Sequence, residues 1–405
     1  MKVDNLVPWV LGLAPPLVVA LSWSPEPTQL QSAIRSLSLP ILAAEIFVIA
    51  FAVREKASFP LPSNLVTIPT LLLVILAWIS ASQAGTPGSS LLMTSIWTIH
   101  LLFGFSIASL WTDQRLDAKK LILALQVGFL ITALLIVLFV MVHYRPGKDW
   151  TWALPGYRNI RHLGYYAAAI VGISAFGYSD GKKLAVATAV AAFFIAFWTV
   201  SRGAIAATMA GYLISTLLLP DLRKREAVSR FIACALAGLL LSFLFSKIYR
   251  LDGVGLNRLV NGDYSGRIKL WTLTLGSIKE SPWFGWGEAQ LRFRLGDNYP
   301  FGQPHNIILQ ILHAWGLIGL GLISYISLRL KPSVIAGSSA AMAPFALTAA
   351  ILVALSFVDG SLYYVNSVFI FALCLGIVFA NARACSSNFP SNTRKDVAVA
   401  RPDIR

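Results

Sequence analysis

The chain has 405 residues, of which 57% are hydrophobic and 13% charged, where a soluble domain carries about 25% charged residues. With a mean hydropathy of +0.70, this excludes a soluble enzyme, a disordered chain and a secreted disulfide scaffold. The excess of 33 Lys+Arg over 18 Asp+Glu would point to nucleic acid in a soluble protein, but here it is expected to serve membrane topology.

The apolar residues fall in runs long enough for a helix to cross hydrocarbon. Twelve such runs are predicted: 6–23, 36–53, 65–82, 90–111, 120–142, 162–179, 183–200, 203–219, 230–247, 306–328, 338–357 and 362–381. The expected fold is therefore all-α, a polytopic membrane protein with about twelve transmembrane helices. Pro15 and Pro16 interrupt the core of the first run and no Ala-x-Ala site follows, so it is expected to remain as a membrane helix. Cys234 and Cys374 lie inside apolar runs and Cys385 just beyond the last, which gives no disulfide framework. An even number of spans puts both termini on one side. Placing them in the cytoplasm gathers most Lys and Arg on inside loops and leaves only Arg35 and Arg202 in short outside loops.

Two longer outside segments break the pattern. Residues 143–161 (HYRPGKDWTWALPGYRNIR) carry Arg145, Lys148, Arg158 and Arg161 against Asp149, and residues 248–305 are likewise net basic. Topology gives no reason for positive charge there, whereas an anionic ligand would. Within the larger loop, Ile268, Trp271, Leu275 and Ile278 recur at helical spacing, which predicts an amphipathic helix. Ser265 is placed to cap it and Ser281-Pro282 to stop it. The tail from about 382 is polar and expected to be disordered.

Four features have chemical potential. Arg158, Arg161 and His162 precede the sixth run in GYRNIRHLGYY, Arg202 sits in a tight turn in TVSRGAIAA, and Arg267 opens the loop helix in DYSGRIKLW. His305 and Asn306 lead into the tenth run in QPHNIILQILHAWGLIG, with His313 about two turns further on. A single arginine at a membrane edge is ordinarily a snorkelling anchor. Several converging on one face suit a lipid-linked diphosphate, because guanidinium binds phosphate oxygens bidentately and stays charged. His305 reads either as a helix-end histidine or as a general base. His313 lies deeper in an apolar run, where a structural role competes; His100 and His143 have no supporting context. Glu45, within the second run, reads as a buried, hydrogen-bonded structural carboxyl. The sequence has no Walker A loop, HExxH, Cys/His cluster or outer-face Asp-x-Asp. A metal-dependent, nucleotide-sugar transferase is therefore disfavoured, and no cofactor is expected.

SRGA at 201–204, SGRIKLWTLTLGSIKESPWFGWG at 265–287 and PHNIILQILHAWGLIG at 304–319 together resemble the O-antigen ligase and polymerase superfamily, and GYRNIRHLGYY resembles the ligases within it. The resemblance covers about residues 155–325. It implies an inverting, metal-independent glycosyltransferase of the bacterial inner membrane. Such an enzyme moves O-antigen from undecaprenyl diphosphate to lipid A-core at the periplasmic face. It carries the family's arginines onto Arg202 and Arg267 and its histidine onto His305, with His313 left as an alternative base. Arg158, Arg161, His162, Asn306 and His313 are then expected to bind diphosphate or substrate. Trp271, Trp283 and Trp286 are candidates to stack on sugars, or else members of an interfacial belt.

The expected partners are the lipid-linked donor, the lipid A-core acceptor and membrane lipid, without nucleic acid. The expected organisation is five N-terminal spans (1–142), a basic loop with spans six to nine (143–247), a large periplasmic catalytic loop (248–305), spans ten to twelve (306–381) and the tail (382–405). A polymerase or a protein O-oligosaccharyltransferase of the same superfamily is the nearest alternative. A transporter or flippase would call for similar halves and short loops on both sides, which this sequence lacks.

Overall fold

The computed structural model describes residues 5–58, 64–145, 148, 150–175, 182–218, 220–249, 265–296, 302–336 and 342–387. All regular structure among them is helical. Ten helices precede the large loop: α1 (Leu6–Leu21), α2 (Gln29–Leu37), α3 (Leu39–Arg54), α4 (Asn64–Ser82), α5 (Pro87–Thr112), α6 (Ala118–Val142), α7 (Ile160–Ala175), α8 (Lys182–Trp198), α9 (Arg202–Leu218) and α10 (Arg225–Tyr249). The loop contributes α11 (Ser265–Glu280) and α12 (Leu291–Leu295), and α13 (Ile307–Ala336), α14 (Ala343–Ser356) and α15 (Val365–Ser387) follow. The chain is an all-α polytopic membrane protein.

Each predicted apolar run falls on a helix, but the helices differ in reach. Five (α4, α5, α6, α10 and the first 24 residues of α13) are long and apolar enough to cross a membrane alone; a sixth is obtained if α2 and α3, bent by 54°, form one span. Twelve span-length helices are not found among the described residues; Leu6–Leu21, Lys183–Trp198, Ala343–Ser356 and Val365–Asn381 are shorter apolar helices there. Ser38, in the left-handed region at φ 49°, makes the α2–α3 bend. The apolar runs do not reveal such breaks, since hydropathy does not register backbone turns. α1 accommodates Pro15 and Pro16 within the helix. Of the tail expected to be disordered from about 382, residues 382–387 are helical as the end of α15; from residue 388 onward it lies outside the described residues, as does the side chain of Ser265.

Helix α7 is the hub. It packs against α6, α8, α9, α14 and α15, and its residues Leu163–Ser174 are buried almost throughout. Small residues make this close approach possible, as is usual where apolar packing alone cannot drive helices together in lipid. Gly164 faces Thr199 and Ser201, and Gly172 faces Thr348. The hub therefore seats the turn before α9 directly against the start of α7.

The PWFGWG segment has a structural task. α13 is broken at Gly316 (φ 64°, ψ −165°), which frees backbone groups on both sides of the break. Residues 282–287 lie alongside and satisfy them. Trp286 N–H donates to His313 O (2.8 Å) and Gly287 N–H to Ala314 O (2.9 Å); Leu317 N–H donates to Pro282 O (2.8 Å) and Ile318 N–H to Trp283 O (3.3 Å). Irregular backbone within a membrane protein survives only when another part of the protein satisfies it in this way. Both chains need glycine at the crossing: a Cβ on Gly316 would overlap the Trp283 carbonyl, and one on Gly285 (φ 70°) the Ala314 carbonyl. The uninterrupted tenth span expected over 306–328 is thus two helical pieces with the loop laid across their junction.

The loop helix forms where its periodicity predicts and ends at Ser281-Pro282, but its packed face is turned from the expected one. Leu270, Thr274, Ser277 and Ile278 are buried, while Ile268 and Leu275 are exposed. The apolar spacing missed this because two positions of the inner face are hydroxyls with partners inside the protein: Thr274 Oγ1 donates to Leu270 O (2.8 Å) and Ser277 Oγ lies 3.4 Å from His313 Nε2. Glu45 is buried and its Oε1 lies 2.7 Å from His100 Nδ1, so the carboxyl expected to be structural has found a partner 55 residues away.

Candidate active site

The turn 303–306, between α12 and α13, is held from four directions. Gln303 Oε1 accepts the backbone N–H of His305 (3.1 Å), and Trp271 of α11 donates its indole N–H to Pro304 O (2.8 Å). Asn306 Oδ1 accepts Leu309 N–H (3.1 Å), which caps α13, and its amide nitrogen donates to Phe357 O (3.0 Å). His305 itself is held at φ 55°, a conformation costly for a side chain with a Cβ and found where surroundings over-determine it.

Those restraints aim His305 at Asp359, in the link between α14 and α15. Its Nδ1 lies 2.7 Å from Asp359 Oδ1 and 3.0 Å from Gln303 Nε2. A carboxylate only accepts, so the Nδ1 proton goes to Asp359 and the lone pair of the imidazole is on Nε2. Arg267, at the start of α11, reaches the other carboxylate oxygen (3.2 Å) and also donates to Val358 O (2.5 Å). Asp359 is 2% exposed. Burial pushes its carboxyl up, but the hydrogen bond and charge of His305, the Arg267 guanidinium and the nearby Tyr165 hydroxyl outweigh that and hold it well below the usual carboxylate range.

The remaining arginines gather around this pair. Arg202 opens α9, and the next residue abuts the carboxylate: a Cβ at Gly203 would lie 3.6 Å from Asp359 Oδ2. The His162 ring lies against Tyr364, with centroids 3.5 Å apart, and Gln303 Nε2 reaches the Tyr364 hydroxyl (3.4 Å). Arg158 and Arg161 both bear electrostatically on Tyr364. Arg158 is exposed, whereas Arg161, Arg202 and Arg267 are half-buried. The loop that carries Arg158 is tethered by Arg35, which donates to Tyr157 O (2.7 Å), and by Gly156 N–H to Ser22 Oγ (2.6 Å).

Some expected residues spend their polar atoms on the fold. His313 is buried, with Nε2 3.4 Å from Ser277 Oγ. Trp286 donates its indole N–H to Ser277 O (2.8 Å), and one ring face is covered by the Arg294 guanidinium at 3.7 Å. Trp271 and Asn306 are engaged as described above, while Trp283 is exposed. Sequence reasoning missed Asp359 and Gln303. The available signal was a lone acid in VDGSLYY, at the end of an apolar run on the face assigned to the arginines.

Residues 187–324 match the family model described as O-antigen ligase. The resemblance to the O-antigen ligase superfamily holds. A curated relative from Pseudomonas aeruginosa (strain PAO1), described as an O-antigen ligase, is 29% identical over an alignment of 182 residues that covers 38% of this chain and 42% of that protein. The chain thus spans about two fifths of the curated relative it matches. The matched segment contains Arg202, Arg267 and His305; Arg158, Arg161, His162 and Asp359 lie outside it.

Proposed function

We propose that this chain is an O-antigen ligase, an inverting, metal-independent glycosyltransferase that moves O-antigen polysaccharide from undecaprenyl diphosphate to lipid A-core. The observation that carries this reading is the His305–Asp359 pair with Arg267 on its second oxygen, next to the basic turns of Arg158, Arg161 and Arg202. The reaction takes place at the periplasmic face of the bacterial inner membrane, with both termini in the cytoplasm and residues 248–305 as the catalytic loop.

The chemistry follows from the charges. His305 Nε2 takes the proton of the acceptor hydroxyl, while Asp359 fixes the tautomer and steadies the imidazolium that forms. The hydroxyl oxygen attacks the anomeric carbon from the side opposite the diphosphate, which leaves with the bonding pair and inverts the centre. Diphosphate needs charge neutralisation rather than a proton. Arg158, Arg161, Arg202 and Arg267 supply that as fixed cations close to low-dielectric lipid.

The test is transfer by the purified protein in detergent with EDTA, given lipid-linked glycan with and without lipid A-core. A glycan–lipid A-core product that is absent with His305→Ala is expected. Longer lipid-linked chains formed without lipid A-core would reassign the protein as a polymerase. Loss of transfer on chelation would overturn the metal-free mechanism.

A further inference from the structure

The cleft beside His305 and Asp359 contains an amide whose oxygen the fold does not use. Gln310, one turn into α13, is 7% exposed and lines that cleft together with Asn306, Asp359 and Tyr363. Its amide nitrogen donates to Glu288 Oε2 at 2.9 Å. Among the described residues no group donates to its amide oxygen, and that atom is not sealed in the interior. The other amides of the cleft wall are committed, Gln303 to His305 and Tyr364, and Asn306 to Leu309 and Phe357.

Glu288 explains the orientation of Gln310. It is 1% exposed and, among the described residues, has no cation at ion-pair distance, unlike the buried Glu45 and Asp359. A carboxylate can only accept, so it takes the NH2 of Gln310 and leaves the amide oxygen without a donor among the described residues. A buried charge without a cation is costly to fold around; besides a local hydrogen bond from the Ala289 backbone, the bond it makes is the one to Gln310. The cost makes sense if the orientation of Gln310 matters to what enters the cleft.

We propose that Gln310, turned by Glu288, is a specificity contact for the sugar that reacts at His305: its amide oxygen accepts a hydrogen bond from a hydroxyl or N-acyl N–H of that pyranose. The inference rests on the transferase reading above. Glu288 is a positioning residue, acting through Gln310.

The test uses the full chain in detergent with lipid-linked donor and lipid A-core acceptor. Burial pushes the Glu288 carboxyl up to about 7, so the assay is run at pH 8, where it is ionised. Gln310→Met keeps the shape but removes the acceptor. It is expected to raise KM for one of the two substrates about tenfold or more, with a smaller change in kcat, the scale of one lost hydrogen bond in a dry site. Glu288→Leu is expected to do the same. Glu288→Gln, whose amide oxygen still accepts from Gln310, stays within about threefold of wild type by the same reasoning. Wild type should lose a similar factor on one monodeoxy or de-N-acyl form of that sugar, and Gln310→Met should lose nothing more on it.

A rise confined to the acceptor KM assigns the contact to the acceptor sugar, and one confined to the donor KM to the donor. Unchanged KM values for both overturn the inference. So does a fall in kcat on both substrates with a lowered thermal midpoint, which would return Gln310 to the scaffold. His305→Ala separates the two levels: if it is inactive while Gln310→Met behaves as wild type, only the present inference fails, and if it is fully active the transferase reading fails.

Discussion

Asp359 and His305 are 54 residues apart in sequence, yet Oδ1 of one lies 2.7 Å from Nδ1 of the other. The pair joins the turn before α13 to the link between the last two helices. Asp359→Asn would leave the shape intact but offer a donor where the imidazole needs an acceptor. It is expected to lower kcat about 10²-fold or more, the range set by general-base catalysis and its orienting group. Transfer assays on membrane-inserted variant check this; activity within a few-fold of wild type would reduce Asp359 to an anchor for Arg267.

Arg267 binds both Asp359 and Val358 O, so it has a structural duty besides the proposed electrostatic one. Arg202→Ala and Arg267→Ala are each expected to cost about 10²–10³ in kcat, the scale for removal of one preorganised charge partner. Arg267→Lys should recover little, since one ammonium cannot reproduce the forked geometry. Full activity in Arg202→Ala, with the protein in the membrane, would make that residue an interfacial anchor.

Trp271 allows stacking and tethering to be separated. Phenylalanine retains an aromatic face but cannot donate to Pro304 O. Trp271→Phe is therefore expected to lower kcat several-fold, roughly the effect of one hydrogen bond of about 1 kcal/mol, by loosening the turn that carries His305. Wild-type kcat in this variant would favour the sugar-stacking role.

Glu288 and Asp359 respond to pH with opposite sign. Burial pushes Glu288 from an ordinary 4.5 up to about 7, so between those values the folded protein holds a proton that the unfolded chain has released. Its cost to stability is absent below 4.5 and complete above 7. Glu288→Gln is expected to raise the thermal midpoint by several degrees at pH 8 and by little at pH 4.5. Equal gains at both would show that ionisation is not the cause. Asp359 is held below the ordinary carboxylate range, so its contribution is present above about 4 and is lost as pH falls through the folded value. Acid-induced unfolding should accordingly start at a higher pH in Asp359→Asn.

At the crossing of the loop with α13, Gly316→Ala combines a side chain at φ 64° with an overlap onto the Trp283 carbonyl. A loss of at least 2 kcal/mol, roughly the combined scale of backbone strain and overpacking, is expected to appear as a lower thermal midpoint. An unchanged midpoint would mean that the two segments are not pressed together.

The helices were legible because they are written locally, as apolar runs; the basic segments, read from charge against the topological trend, stay an expectation about a ligand-facing surface. The motifs singled out His305 and Arg267, which the structure brings to one carboxylate. Asp359 was not legible, because a lone acid in a short link gains meaning only when folding sets it beside His305. The Gly316 break was hidden for a related reason. Hydropathy reports that residues 306–328 are apolar and says nothing of a backbone turn whose hydrogen bonds are completed by residues 282–287. The orientation of α11 escaped because Thr274 and Ser277 turn polar side chains inward.

The four backbone bonds between residues 282–287 and 313–318 also bear on how the protein can be assembled and exchanged with its relatives. The piece of α13 before Gly316 has no continuous helix to join until the loop is in place, so the loop and this helix can mature only together. A chimera that takes its loop from one relative and its tenth span from another would have to match backbone to backbone at that seam. Residues 282 to 318 are therefore the smallest unit that carries this seam intact.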